Sequence, residues 1–137
     1  MKRKILIVED NVGLSQIQKD WLSRAGYDAV TAMSEPIARS LIRKTQFDLI
    51  LSDVRLPEGD GISLLEWLRK EKKDIPFIIT TEFVSVPDVV RTIKLGARDY
   101  LPKPVHREHL LELAEDVFHP VATVRKQERQ LFRRISP

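Results

Sequence analysis

Five short, mostly apolar runs spaced along the chain constrain its fold more than any other feature of the sequence. Each run ends at charged, polar or turn-forming residues, and the longer ones show no polar alternation. Such a run is typical of a strand buried on both faces, as in a parallel sheet. We predict strands at residues 4–8, 28–32, 48–52, 77–80 and 99–101.

Segments with helical periodicity follow these runs. In residues 11–26 the apolar positions predicted to share the buried face are Leu14, Ile17, Trp21 and Leu22. Ser34 is predicted to cap a second helix that extends to residue 44, with a buried face of Ile37, Ala38, Leu41 and Ile42. Further helices are predicted after the turn at residues 57–61, over residues 87–95 and over residues 106–118.

Five strands alternating with five helices indicate an α/β fold with a parallel sheet and helices on both of its faces. The length of 137 residues suits one compact domain. Pro120 interrupts the last helix. We therefore predict a body over residues 1–119 and a basic C-terminal linker or helical extension over residues 120–137.

The positive charge of the chain is concentrated in this extension. Residues 121–137 contain five basic residues and one acid, a net of +4, so a total of +3 leaves −1 for residues 1–120. The body therefore gives no support for a nucleic-acid surface. From the last helix into the extension, apolar residues recur at roughly heptad spacing, with Pro120 interrupting. These residues are Leu110, Leu113, Val117, Val121, Val124 and Leu131. The spacing leaves two interpretations open. One is a coiled coil towards an output domain or dimer mate, and the other is an exposed extension.

Several kinds of site and structural feature are excluded because the sequence lacks the residues that they need. The chain contains no cysteine, which excludes thiol chemistry and disulfides and fits a reducing cytoplasm. Its apolar runs are too short to span a membrane. No glycine-rich phosphate loop follows the first strand, and no serine–histidine pair is evident.

Polar side chains follow four of the predicted strands. These residues are Glu9 and Asp10, Asp53, Thr81 and Lys103. In an open parallel sheet, ligands bind beyond the carboxyl ends of the strands. Each residue alone could be a cap, a turn residue or a solvated charge. Together, the clustered carboxylates would repel one another unless a cation lay among them, and a hard ion such as Mg²⁺ is the most natural one.

This set of groups allows phosphoryl transfer to a carboxylate. An aspartate can attack phosphorus and form an aspartyl phosphate. Mg²⁺ and a lysine would neutralise the negative charge of the transferred group.

Four segments carry a resemblance to a known family. They are "ILIVEDN" (5–11), "DLILSDVRLPEGDG" (48–61), "PFIITTE" (76–82) and "GARDYLPKP" (96–104). In order and spacing, over about residues 3–118, they resemble the receiver domain of bacterial two-component response regulators. They are most similar to the nitrogen-regulatory class, which drives sigma-54 ATPase domains. The resemblance implies a flavodoxin-like three-layer sandwich with strand order 2-1-3-4-5.

The resemblance also implies a role for each site residue. Asp53 would be the phosphoacceptor, supplied by a histidine kinase. Asp10, Asp53 and the backbone carbonyl of Arg55 would bind Mg²⁺ directly, and Glu9 would do so through water. Lys103 would pair with the phosphoryl group and Thr81 would hydrogen-bond to it, with Tyr100 changing rotamer in concert with Thr81.

The implied function is a cytoplasmic phosphorelay domain in transcription control, not an enzyme. An output domain or dimer mate would contact helix four, strand five and helix five, and DNA would be reached only through an output domain. This readout surface would include Arg91, Lys94, Arg98 and Asp99. Two alternatives remain: a receiver-like binding module that never takes phosphate, and a phosphatase of the haloacid dehalogenase type. The second wants an Asp at the position of Arg55.

One residue departs from the family pattern. The residue after the switch threonine is usually small in this family, but here it is Glu82. Its side chain either points to solvent or places a negative charge at the entrance to the phosphoacceptor.

Overall fold

The computed structural model describes residues 2–82 and 85–119, so the predicted extension at 120–137 lies outside the described residues. The elements in chain order are β1 (Lys4–Val8), α1 (Val12–Arg24), β2 (Asp28–Ala32), α2 (Glu35–Lys44), β3 (Leu49–Asp53), β4 (Arg55–Leu56), β5 (Gly59–Asp60), α3 (Gly61–Lys70), β6 (Phe77–Thr81), α4 (Val86–Lys94), β7 (Asp99–Pro102) and α5 (Arg107–Phe118).

Five strands form one parallel sheet in the order β2-β1-β3-β6-β7. The short strands β4 and β5 form a separate antiparallel pair. With this pair set aside, the order is the predicted 2-1-3-4-5, and the flavodoxin-like prediction is confirmed.

The apolar strands lack alternation because both faces of the sheet are covered. In β1, Ile5 and Ile7 belong to a core shared with α1 and α5. Leu6 and Val8, the intervening residues, belong to a second core shared with α2 and α3. All four side chains are fully buried. The sheet therefore separates two helical layers, which makes the three-layer sandwich.

Local side chains mark where most of the helices begin. Asn11 Oδ1 accepts from Leu14 N–H at 3.0 Å, and Asp60 Oδ1 accepts from Ser63 N–H at 2.6 Å. The predicted cap Ser34 is confirmed, since its hydroxyl accepts from Ile37 N–H at 3.4 Å. These caps satisfy N–H groups that have no partner inside the helix. Among the described residues, no helix is both long and apolar enough to cross a membrane.

Two side chains predicted to be buried are exposed. Ile17 in α1 is 47% exposed and Ile37 in α2 is 48% exposed. The predicted burial of Leu22 is confirmed, and the other buried residues of α1 are Ser15 and Gln18, which share its face at helical spacing. Hydrophobicity alone missed Ser15 and Gln18, because these two buried positions carry polar side chains.

The sequence did not predict the β4–β5 hairpin at residues 55–60. Its strands are only two residues long and include charged residues and a glycine, so they show no strand pattern. Asp53 is also part of β3 and pairs with Thr80 of β6, whereas we predicted that it follows the strand.

Candidate functional site

Seven of the eight predicted site residues line one cavity of about 330 Å³ at the carboxyl edge of the sheet. The cavity is formed where β1, β3, β6 and β7 end, because parallel strands bring these ends together. The lining residues are Glu9, Asp10, Asn11, Leu14, Asp53, Arg55, Thr81, Glu82 and Lys103. Tyr100 does not line it.

Lys103 joins two of the carboxylates. Its Nζ donates to Glu9 Oε1 at 2.6 Å and to Asp53 Oδ2 at 2.7 Å. All three side chains are largely buried, with exposed fractions of 11% for Lys103, 3% for Glu9 and 10% for Asp53. The backbone N–H of Lys103 donates to Thr81 O at 2.8 Å, which secures the residue next to the end of β6.

Burial and charge act in opposite directions on these groups. Burial disfavours the Lys103 ammonium, but hydrogen bonds to Asp53 and Glu9 outweigh it and raise the pKa of Lys103. Burial raises the pKa of Glu9, and the hydrogen bond from Lys103 offsets only part of that effect. Lys103 therefore stays charged at neutral pH and remains a fixed cation in the cavity wall.

Three carboxylates come together as the sequence predicted. One oxygen each from Glu9, Asp10 and Asp53 lie within 4.8 Å of one another. By formal charge, these three carboxylates and the Lys103 ammonium sum to −2. A cluster of hard oxygen donors with this excess charge fits a divalent cation such as Mg²⁺.

The backbone around Asp53 is closely held. Arg55 N–H donates to Asp53 Oδ1 at 3.2 Å, and Ser52 Oγ donates to the Asp53 carbonyl at 2.9 Å. Gly61 N–H donates to Val54 O at 2.8 Å, which brings the start of α3 against the end of β3. The two Asp53 carboxylate oxygens thus have different partners: a backbone N–H and an ammonium.

Thr81 and Glu82 lie on the opposite side of the cavity from β1. Thr81 is 6% exposed, whereas Glu82 is exposed. Glu82 lines this cavity and a neighbouring apolar one of about 310 Å³ that also includes Pro104 and Val105. Glu82 is thus exposed to solvent and also lies at the rim of the cavity. The two predicted placements, in solvent and at the entrance to Asp53, are therefore compatible with each other.

Tyr100 lies in β7, where it pairs with Ile79 of β6. It packs against the core on the α2 and α3 side of the sheet. Its hydroxyl is buried and has no hydrogen-bond partner among the residues that the structure describes.

The sequence reasoning missed Asn11 as a cavity residue. Its backbone N–H donates to Glu9 Oε2 at 3.2 Å while its side chain caps α1. A capping residue directly after an acidic pair was the available signal, because such a cap places the first turn of the helix beside the acids.

Comparison with known proteins agrees with this geometry. A profile of the response regulator receiver domain matches residues 5–115. The transcriptional regulatory protein ZraR of Salmonella typhimurium is 40% identical over 114 residues, which is 83% of this chain and 26% of that protein. The response regulator protein PilR of Pseudomonas aeruginosa is 33% identical over 112 residues, 82% of this chain and 25% of that protein. The chain thus spans about a quarter of the length of these two relatives.

Solved receiver domains have the same fold. The receiver domain of the Francisella response regulator 1452 aligns with a TM-score of 0.82 and 30% identity, over 88% of this chain and 99% of that one. The non-phosphorylated HemR receiver domain of Leptospira biflexa aligns with a TM-score of 0.80 and 36% identity, over 86% and 95% of the two chains. The chain therefore belongs to the response regulator receiver domain family of two-component signalling.

Proposed function

We propose that Asp53 accepts a phosphoryl group from the phosphohistidine of a histidine kinase. The observation that supports this most is the placement of its carboxylate. It faces the cavity, with Oδ2 at 2.7 Å from Lys103 Nζ and Oδ1 at 3.2 Å from Arg55 N. A nucleophile held between two donors is already oriented before the phosphoryl group arrives.

In the transfer step, one Asp53 oxygen forms a bond to phosphorus as the phosphorus–nitrogen bond of phosphohistidine breaks. The electron pair of that bond leaves with the imidazole nitrogen. Lys103 already contacts the carboxylate, so its ammonium stays within reach of the phosphoryl oxygens and offsets their charge.

The acidic cluster is the proposed Mg²⁺ site. Asp10, Asp53 and the Arg55 carbonyl would bind the ion directly, and Glu9 would bind it through water. When bound, Mg²⁺ supplies positive charge that offsets the phosphoryl oxygens. Glu9 also helps to hold Lys103 in place, because its Oε1 accepts from Lys103 Nζ at 2.6 Å.

Phosphorylation would be sensed by Thr81 and Tyr100. Thr81 ends β6 at the cavity, and Tyr100 lies in the neighbouring strand β7. A buried hydroxyl without a partner destabilises its arrangement by about 1–3 kcal/mol. Within residues 2–82 and 85–119 the Tyr100 hydroxyl has no partner, which supports a second rotamer close in energy to this one.

The proposed readout surface comprises α4, β7 and α5. On α4, Val86, Val90 and Ile93 are 73%, 45% and 63% exposed, at spacings that place them along one side of the helix. A row of exposed apolar side chains is typical of a surface that binds another protein. We assign this surface to an output domain or dimer mate.

The same proposal assigns a domain organisation, an output and a location to the protein. Residues 1–119 would be the receiver domain, and residues 120–137 would be a basic linker to an output domain or a helical extension. That output would belong to the sigma-54-activating class of transcription regulators and would contact DNA itself. The protein would work in the cytoplasm without membrane contact.

Incubation with acetyl phosphate and Mg²⁺, followed by intact mass measurement, tests the proposal. We expect one labile phosphoryl adduct, which is lost in Asp53→Ala and strongly reduced when EDTA removes Mg²⁺. Asp20→Ala is the matched control, because Asp20 lies on α1 and forms an ion pair with the exposed Arg24.

Other outcomes would favour the alternatives. If no donor gives an adduct on the folded protein, the chain is a binding module that does not take phosphate. If phosphate is released catalytically from simple esters, the phosphatase alternative is correct. If the adduct persists in Asp53→Ala, the nucleophile is a different residue.

A further inference from the structure

Glu35, in the first turn of α2, is a buried acid outside the cavity. Only 4% of the residue is exposed. Its Oε1 accepts from Arg39 Nε at 3.1 Å and also forms an ion pair with Arg39 Nη2. Its Oε2 accepts from the backbone N–H of Asp60 at 2.9 Å, across 25 residues of chain. One carboxylate thus joins α2 to the β4–β5 hairpin.

Gly59 makes room for this contact. A Cβ at Gly59 would overlap Glu35 Oε2 and lie 3.1 Å from Glu35 Cβ. Gly59 also has a φ of 147°, which side chains of L-residues rarely adopt. The hairpin therefore lies with its backbone directly on the Glu35 side chain.

The hairpin connects Glu35 to the phosphoacceptor site. Asp60 pairs with Arg55 across the hairpin, and Gly59 pairs with Leu56. On the other side, Arg55 N–H donates to Asp53 Oδ1 at 3.2 Å. Two hydrogen bonds and one strand pair thus lead from the Glu35 carboxylate to the Asp53 carboxylate.

We infer that Glu35 is a positioning residue for the Asp53 site. It holds the hairpin so that the backbone of Arg55, both its N–H and its carbonyl, is aligned with Asp53. The inference rests on the proposed function, in which the Arg55 carbonyl binds Mg²⁺.

The two oxygens of Glu35 have separable roles. Oε1 pairs with Arg39, whose guanidinium stacks on Trp67 of α3 at 5.2 Å. This interaction joins α2 to α3. Oε2 accepts a hydrogen bond from the hairpin, at Asp60 N–H. A variant that keeps a hydrogen-bond acceptor without the charge should lose the first interaction and keep the second.

Glu35→Met and Glu35→Gln form a matched pair for this test. Both remove the charge that pairs with Arg39 and keep nearly the same side-chain length. Only Gln has a carbonyl oxygen that can accept from Asp60 N–H. Glu35→Ala is a second variant without an acceptor, for use if the methionine side chain is not accommodated.

Two readouts report on position and not merely on stability. The first is the Asp60 amide resonance in the metal-free protein, which reports the hydrogen bond itself. The second is the dissociation constant for Mg²⁺ alone, from a titration followed by amide chemical shifts. Urea unfolding of each variant gives the change in stability separately.

We expect Glu35→Met to weaken Mg²⁺ binding about tenfold, the lower end of the range for residues that orient metal ligands. Its Asp60 amide resonance should shift upfield, whereas Glu35→Gln should keep wild-type values for both readouts while losing stability. If Met and Gln weaken Mg²⁺ binding equally, or neither does, the inference is wrong and the proposed function stands. If the wild-type protein binds no Mg²⁺, both are wrong.

Discussion

A single methyl group at Gly61 should disturb the site and leave the rest of the fold in place. Gly61 begins α3, directly after the hairpin. A Cβ there would overlap the Asp53 carbonyl oxygen and lie 3.0 Å from Ser52 Oγ and 3.1 Å from the Asp53 carbonyl carbon. These are mostly backbone atoms of a buried strand. Gly61→Ala can therefore fit only if the end of β3 and the start of α3 move apart.

The size of the effect follows from this packing. Overpacking an interior usually destabilises a protein by about 1–3 kcal/mol. We expect Gly61→Ala to destabilise the protein by about 3 kcal/mol, the upper end of this range, because backbone atoms must move. For a domain of this length, such a loss lowers Tm by about 10 °C.

Gly13→Ala is the matched control. Gly13 lies in the first turn of α1, and a Cβ there would meet only Asn11 Oδ1, at an ordinary 3.4 Å. Alanine is favoured over glycine in a helix by about 0.5–1 kcal/mol, so this variant should be more stable than the wild type. The two alanine variants should thus differ by roughly 3.5–4 kcal/mol.

Urea unfolding with a shared m-value gives this difference, and acetyl phosphate labelling shows whether Asp53 has moved. We expect slower adduct formation in Gly61→Ala and an unchanged rate in Gly13→Ala. Equal stability of the two variants would refute the close approach of α3 to Asp53. A destabilised Gly61→Ala with a wild-type labelling rate would show that the clash is relieved without moving the carboxylate.

Three further predictions concern single side chains. Lys103→Met should slow adduct formation about a hundredfold, the typical effect of losing one preorganised charge partner; a wild-type rate by intact mass would exclude Lys103 from the chemistry. Glu82→Ala should change the rate of labelling by acetyl phosphate or of adduct loss, while Glu112→Ala on α5 should change neither; if both rates match the wild type, Glu82 does not control access. Burial, with a smaller contribution from Glu115, raises the pKa of Tyr27. The stability that this shift provides is therefore complete below about pH 10, the pKa of tyrosine in the unfolded protein. It is lost as the pH rises through the higher pKa of Tyr27 in the folded protein. Tyr27→Phe should reduce this alkaline loss in urea unfolding at two pH values, and an identical loss in both proteins would contradict the assignment.

Much of the site was predictable because it depends on strand ends. A parallel sheet brings the carboxyl ends of its strands to one edge, so the polar residues after each apolar run had to meet there. Glu9, Asp10, Asp53, Thr81 and Lys103 do line one cavity. The position of each strand was predictable from its apolar run, because a strand that is buried on both faces contains few polar residues.

The geometry within that cavity was not predictable in the same way. The contact between Lys103 and Glu9 spans 94 residues of chain, and local pattern carries no information about such pairs. The exposed Ile17 shows the same limit, since its hydrophobicity could not reveal which edge of α1 meets the sheet.

The sequence by itself determined the order of the five sheet strands and the five helices and most of the residues at the functional edge, because periodicity and chain order decide both. Only the tertiary structure decided how the phosphoacceptor is held. The hairpin at residues 55–60 has no strand pattern of its own and lies on the buried carboxylate of Glu35. Such a segment takes its position from contacts with distant residues, and those contacts exist only after the sheet and its helices have packed.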